Sequence, residues 1–272
     1  MNLSLFTDSE LIDHGLLDNV SWLDANWMFL SLGGGVILFL WLLFAPRWSG
    51  SIKEKLHDPR WLAFLIIFLY SLHQFEEHAF DIFGRRYMFA AVFNASLITD
   101  PSMGVQLLPR ATFLLNILFI WGVFSVWALL SKRENSYYLT TMAWGFSVVN
   151  GFLGHMVPIV AQTGELKYVP GAVQSVFMVA IGLYVLLVVF RPLGTLRGFV
   201  IPLILGLLFH ATGLVIPLVF FHRMPDELVW PFFIGVTCLL PVLAMPLLEK
   251  ILTLGPWEAK TTGGLGPLRD GP

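Results

Sequence analysis

Cysteine is nearly absent from this chain. The single one, Cys238, lies in an apolar run, so no intramolecular disulfide and no zinc-type cysteine cluster can form. It reads as a small buried hydrophobe. Charge is also scarce: 12% of the residues are charged, against about 25% in soluble domains. A net charge of −2 gives no electrostatic case for nucleic acid as a partner. The first 26 residues contain Asp8, Glu10, Asp13, Asp18 and Asp24 but no Lys or Arg, so the basic start of a signal peptide is missing. No Gly-x-Ser-x-Gly and no dinucleotide fingerprint occurs. No period-2 alternation marks a membrane barrel, and no internal repeat stands out.

What is present is hydrocarbon, with 57% of the residues hydrophobic. Long apolar runs without barrel alternation leave helices as the spanning structure. The expected fold is all-α, a polytopic bundle of about seven helices near Trp27–Phe44, Trp61–Phe80, Ala111–Leu130, Tyr137–Val160, Gly171–Phe190, Gly198–Phe221 and Leu228–Leu248. Residues 1–26 then form an extramembrane N-terminal segment and 27–250 one transmembrane domain. Residues 251–272, rich in Gly and Pro, form a disordered tail. Between helices two and three, Ile82–Arg110 is long and mixed, and Tyr87–Leu97 within it reads as a short interfacial helix or re-entrant turn. Lys and Arg concentrate in the first, third and fifth connections and the C-terminal tail. That places the N-terminus outside and the C-terminus in the cytoplasm of a cell (inner) membrane. Gly33-Gly34-Gly35 has neither the strand nor the Lys of a phosphate loop and reads as a site of close helix packing.

Against this background one stretch stands apart: Ser71-Leu72-His73-Gln74-Phe75-Glu76-Glu77-His78, followed by Asp81. Ionisable groups at membrane depth are expensive and by default mark function. At 100° per residue, His73, Glu76 and Glu77 share one side of the helix, Asp81 lies near them, and His78 sits about 140° from His73. Helices two, four and six run in the same direction. At 1.5 Å per residue His73, Asn150, His155 and His210 all fall roughly 18 to 27 Å from the cytoplasmic boundary. Asn116 and Gln174, on helices running the other way, fall near the outer ends.

Imidazole and carboxylate together suit iron, zinc or manganese, and bundle cores commonly host such sites. A divalent cation also lets adjacent buried carboxylates stay ionised. The expected ligands are His73, Glu76, Glu77, His155 and His210, with His78, Asp81, Asn150 and Asn116 around them and Glu76 or Glu77 as the catalytic base. The zincin motif His-Glu-x-x-His is absent, since position 74 is Gln, and so is its inverse His-x-x-Glu-His. The expected cofactor is one or two divalent ions, iron or zinc. The expected function is a metal-dependent membrane enzyme on a lipid-like or apolar substrate, a di-iron-type oxidoreductase ahead of a zinc-type hydrolase. Two alternatives remain: a proton-coupled transporter or channel relaying protons through His73, Glu77 and His155, and a non-catalytic scaffold.

His73-x-x-Glu76-Glu77 on a membrane helix resembles the HXXEE-domain proteins, and a second stretch agrees: Asn150-Gly-Phe-Leu-Gly-His155 followed by Tyr168-x-Pro170-Gly171. The resemblance covers roughly Trp61 to Phe190. It implies a membrane protein with a metal-related motif and supports His73, Glu76, Glu77, Asn150 and His155 as the site. It names no substrate.

Overall fold

A computed structural model describes residues 21–80, 82, 84, 109–134, 138–156, 170–212, 231–239 and 242–243. Every regular element among them is helical. Helix α1 (Trp22–Phe44) opens on a capping box, in which the Ser21 hydroxyl accepts from the Asp24 amide and the Asp24 carboxylate accepts from the Ser21 amide. Arg110 Nε donates to the same carboxylate, tying the start of α1 to the helix that begins at Pro109. A short α2 (Ile52–Lys55) leads into α3 (Pro59–His78), whose first turn is set by Asp58 as N-cap and Pro59 at the first helical position. Lys55 Nζ donates to Leu43 O at 2.6 Å and Trp61 Nε1 to Leu42 O at 3.0 Å, so the open carbonyls at the end of α1 are covered from this corner.

Small residues let α1 lie against α3. A side chain on Gly35 would meet Ser71 Cβ at 3.0 Å, and one on Gly34 the Trp121 ring at 3.0 Å. Ser31 Oγ donates to Ser71 Oγ at 3.1 Å and accepts from Trp121 Nε1 at 2.9 Å. The glycine run therefore does the packing expected of it, without Gly33, whose Cβ position faces open space.

Helix α4 (Pro109–Ile117) continues through a π-helical stretch, Leu118–Phe124, into α5 (Ser125–Glu134). Helix α6 (Tyr138–Val149) ends in a second π stretch, Asn150–Met156. Helix α7 (Ala172–Tyr184) runs into π-helical Val185–Val189, and α8 (Ile201–His210) follows π-helical Leu196–Val200. Helix α9 covers 231–239. Helices α6 and α8 touch backbone to backbone: a Cβ on Gly145 would stand 2.4 Å from Pro202 O, and one on Gly206 2.9 Å from Gly145 O.

Three helical stretches among the described residues are long and apolar enough to cross a membrane, Trp22–Phe44, Arg110–Ser131 and Ala172–Val189. Leu196–His210 is apolar but shorter. Of the seven expected spans, the described residues show these three. Helix six is described only as far as Thr212, and the described part of helix seven covers 231–239 and 242–243. Helix α3 has the length, at 20 residues, but not the composition. Its position explains how it keeps polar groups. It is surrounded by α1, α5, α6 and α7, and Trp61, Leu62, Ile66, Ile67 and Tyr70 are buried with Ser71, His73, Gln74, Glu76, Glu77 and His78. A helix with neighbours on every side keeps its charges off the hydrocarbon. Helix α1, by contrast, exposes Leu30, Ile37 and Phe44. The expected Tyr87–Leu97 segment, the 251–272 tail and Asp81 lie outside the described residues, as does most of 1–26.

Candidate metal centre

The C-terminal third of α3 supplies most of the site. His73 and Glu77 are one helical turn apart, so their side chains stack on one face, and His73 Nε2 lies 3.6 Å from Glu77 Oε2. Across from them, the π stretch Asn150–Met156 presents two more groups. In α geometry Asn150 and His155 would point about 140° apart. The wider i→i+5 turn brings both toward α3. His155 Nε2 stands 3.7 Å from Glu77 Oε1, and the His155 ring meets the His73 ring edge to face with centroids 4.6 Å apart. One ligand atom from each of His73, Glu77 and His155 lies within 4.8 Å of the others, and all three residues are buried.

These separations suit a small cation. Four ligands about 2.1 Å from a metal in a tetrahedron stand roughly 3.4 Å apart; the two measured pairs, 3.6 and 3.7 Å, end on different oxygens of Glu77, and single ligand atoms of the three residues lie within 4.8 Å of one another. The hydrogen bonds leave His155 a ligating nitrogen, whereas at His73 Nε2 the Asn150 amide would have to give way to a metal. His155 Nδ1 donates to Pro170 O at 3.0 Å, so the neutral ring keeps a bare Nε2 facing Glu77. His73 Nε2 accepts from Asn150 Nδ2 at 3.0 Å, with Nδ1 3.5 Å from Ser175 Oγ. This set could hold a metal ion.

Glu76 goes another way. The helical wheel puts Glu76 and Glu77 100° apart, and that angle separates them. Glu76 Oε2 accepts from the Gln174 amide at 2.8 Å and Oε1 from the Val173 amide at 3.2 Å. These are free N–H groups in the first turn of α7, whose own N-cap is Gly171, with no side chain to offer. Glu76 thus caps α7 from outside, where the helix dipole also favours a negative charge.

Gly171 is placed where another residue would not fit. Its φ is +83°, in the left-handed region, and a Cβ there would stand 2.8 Å from His155 Cε1 and 2.9 Å from His73 Cε1. The turn that Glu76 anchors is therefore also the wall that both imidazoles rest on.

His78, expected off the site's face, in fact comes back to it. Adjacent to Glu77 at the end of α3, its Nε2 reaches 3.3 Å from Glu77 Oε2, and its ring packs on Trp27 with centroids 5.2 Å apart. His210 stands one residue removed. Its Nδ1 donates to Gly206 O at 2.7 Å, and its Nε2 is 2.9 Å from Asn150 Oδ1, so Asn150 joins His210 to His73. With Nδ1–H given to Gly206 O, donation from Nε2 to Asn150 makes the ring an imidazolium. Turning the Asn150 amide over keeps this ring neutral but sets Asn150 Oδ1 against His73 Nε2, which would then have to carry a proton. Asn116 donates from Nδ2 to Thr112 O at 2.9 Å, and beside Glu77 it lines a cavity of about 100 Å³.

Two residues at the site carried no sequence signal as ligands. Gln74, which breaks the zincin motif, donates from Nε2 to Glu77 Oε2 at 3.0 Å; its i, i+3 spacing to Glu77 was the available clue. Ser175, one turn into α7, faces His73 and had none.

No curated protein and no solved structure matches the chain. Residues 64–185 match a family model described as a protein of unknown function with HXXEE motif. That stretch, somewhat under half of the chain, is similar to the HXXEE family and holds His73, Glu76, Glu77, Asn150, His155 and Gly171, every residue by which the two motifs build the site.

Proposed function

We propose that this protein is an integral membrane metalloenzyme in which His73, Glu77 and His155 hold one divalent cation, iron or zinc, and act on an apolar or lipid-like substrate. The observation that carries the reading is the buried set of two imidazoles and one carboxylate, with ligand atoms within 4.8 Å of one another. Such a set leaves coordination positions open, as iron oxygenase and zinc hydrolase sites both do. A single ion is favoured over a pair, because Glu76 turns to the amides of α7 and His210 to Asn150. Bound there, the metal supplies Lewis-acid or redox chemistry.

The chain's own residues do the rest. Gln74 donates to Glu77 Oε2 and fixes the carboxylate. Pro170 O sets the tautomer of His155. Glu76 holds the turn at Gly171 against both rings. His78, beside Glu77 and outside the three-ligand set, is placed to move a proton at the site. The N-outside orientation in a cell membrane belongs to the same reading. A proton relay is supported less: the chain His210–Asn150–His73–Glu77–His155 ends on Gly206 O and Pro170 O, both backbone carbonyls.

Elemental analysis of the detergent-purified protein tests the proposal. Wild type is expected to carry one iron or zinc per chain, and His155→Ala or Glu77→Gln to lose at least nine-tenths of it, on the order of 1.4 kcal/mol or more in binding. A wild type that purifies without metal and takes up neither iron nor zinc on dialysis refutes it.

A further inference from the structure

The cavity beside Glu77 has its own polar ledger. Glu77 lines it with Gln74, Asn116, Asn150, His210 and Thr237. Asn150 is engaged at both amide atoms by two histidines, and both nitrogens of His210 are engaged. Two atoms are left over. Gln74 Oε1 and Thr237 Oγ1 have no hydrogen-bond partner, although their side chains are 2% and 4% exposed. The direction of Gln74 is not arbitrary. Its amide nitrogen faces the Glu77 carboxylate, and turning it over would set oxygen against oxygen. So Gln74 Oε1 is an acceptor that needs a donor. Thr237 Oγ1 can donate or accept.

Tyr70, His78 and Thr112 add to the polar lining, and the rest of the wall is apolar. Phe146 stacks on Phe119 and on His210, each with centroids 4.3 Å apart, and Phe209 packs on both phenylalanines. The aromatic walls offer contact to a carbon body that a water, which needs two to four polar partners, does not use. The volume of about 100 Å³ is somewhat smaller than a cavity of ~150 Å³ that takes benzene, so it has room for roughly four or five heavy atoms.

We propose that this cavity binds the hydroxyl-bearing end of an apolar alcohol. The hydroxyl donates to Gln74 Oε1 and accepts from the Thr237 hydroxyl, and the carbon body lies against Phe119, Phe146 and Phe209. As a binding site it stands on the cavity alone. That the alcohol is the substrate rests on the metalloenzyme reading, since the cavity and the candidate ligands share Glu77.

Two isomers test it, 1-butanol and diethyl ether, which have the same atoms but differ in the O–H. Saturation-transfer NMR on the full chain in lipid nanodiscs, with empty nanodiscs subtracted, gives each dissociation constant. Wild type is expected to bind 1-butanol saturably and at least about fivefold more tightly than the ether, the worth of one net hydrogen bond. Thr237→Val should remove most of that preference and Thr237→Ser should keep it. Phe209→Trp, which fills the cavity, should abolish binding. Equal binding of the isomers, no saturable binding above empty nanodiscs, or a Thr237→Val protein that keeps the preference overturns the proposal. Metal content of the same preparations is read separately. Alcohol preference without metal sinks the enzyme reading alone, and metal without preference sinks the cavity proposal alone.

Discussion

Replacing Gly171 by Ala puts the site's architecture to its sharpest test. Two separate penalties meet at this residue. The first is backbone: a φ of +83° is open to glycine, and a non-glycine residue held in such a region costs about 1–3 kcal/mol. The second is contact. The new methyl would stand 2.8 Å from His155 Cε1, 2.9 Å from His73 Cε1 and 3.0 Å from His155 Nδ1. Ordinary carbon contacts need about 3.5–4.0 Å, so the imidazoles must retreat by roughly half an ångström or more. A coordination set tolerates about 0.5 Å of error. Gly194 supplies the control. Its φ is +81° with ψ 159°, a region at least as closed to alanine, yet nothing lies within 4 Å of its Cβ position. Gly194→Ala is therefore expected to lower stability by about 1–3 kcal/mol and leave metal affinity unchanged. Gly171→Ala is expected to lose a similar amount of stability and at least tenfold in metal affinity, about 1.4 kcal/mol. Thermal unfolding and metal competition with a chelator give the two numbers for each variant. Equal metal affinity in Gly171→Ala and wild type would refute the idea that this turn backs the ligands.

Glu76 and Glu77 should part company under the same substitution. Glu77→Gln is expected to lose metal, whereas Glu76→Gln, which keeps one acceptor for the first turn of α7, should retain it and lose about 1 kcal/mol of stability, a typical cap contribution; metal loss in both variants sinks the division of roles. The approach of α6 to α8 is open to a simpler check. Gly145→Ala sets a methyl 2.4 Å from Pro202 O, so unfolding in mixed micelles should show a loss of about 2–3 kcal/mol, while Gly122→Ala, with nothing within 4 Å, should be within about 0.5 kcal/mol of wild type.

Part of this was visible in the bare chain. The i, i+4 spacing of His73 and Glu77 guarantees a shared face, and depth counting brought His155, Asn150 and His210 to the same level. Two things were hidden, for different reasons. An ideal wheel treats 60° and 40° on either side of His73 as one face, yet those angles divide Glu76 from Glu77 once α7 arrives with unsatisfied amides. No local rule supplies that partner, because Val173 and Gln174 offer backbone and not side chain. The π turn at Asn150–Met156 was also illegible: hydropathy is the same for α and π windings, and only the winding decides whether Asn150 and His155 face together. The cavity depends on Thr237, which arrives from 231–239 and carries no pattern at all.

Helix α3 has a consequence for how the protein is made. Its polar C-terminal third sets it apart from the stretches that are apolar enough to cross a membrane. A charged residue at the centre of a lone helix adds about 2.5–3.5 kcal/mol to the free energy of insertion, and less near its end, where Glu76 and Glu77 lie. Helix α1, apolar along its length and joined to α3 by only a short corner, offers Ser31 and Gly35 to the Ser71 face. The two are thus suited to leave the insertion machinery as a hairpin, with α1 as escort. By this logic a chain deprived of α1 would strand the motif helix in water before the site could ever assemble.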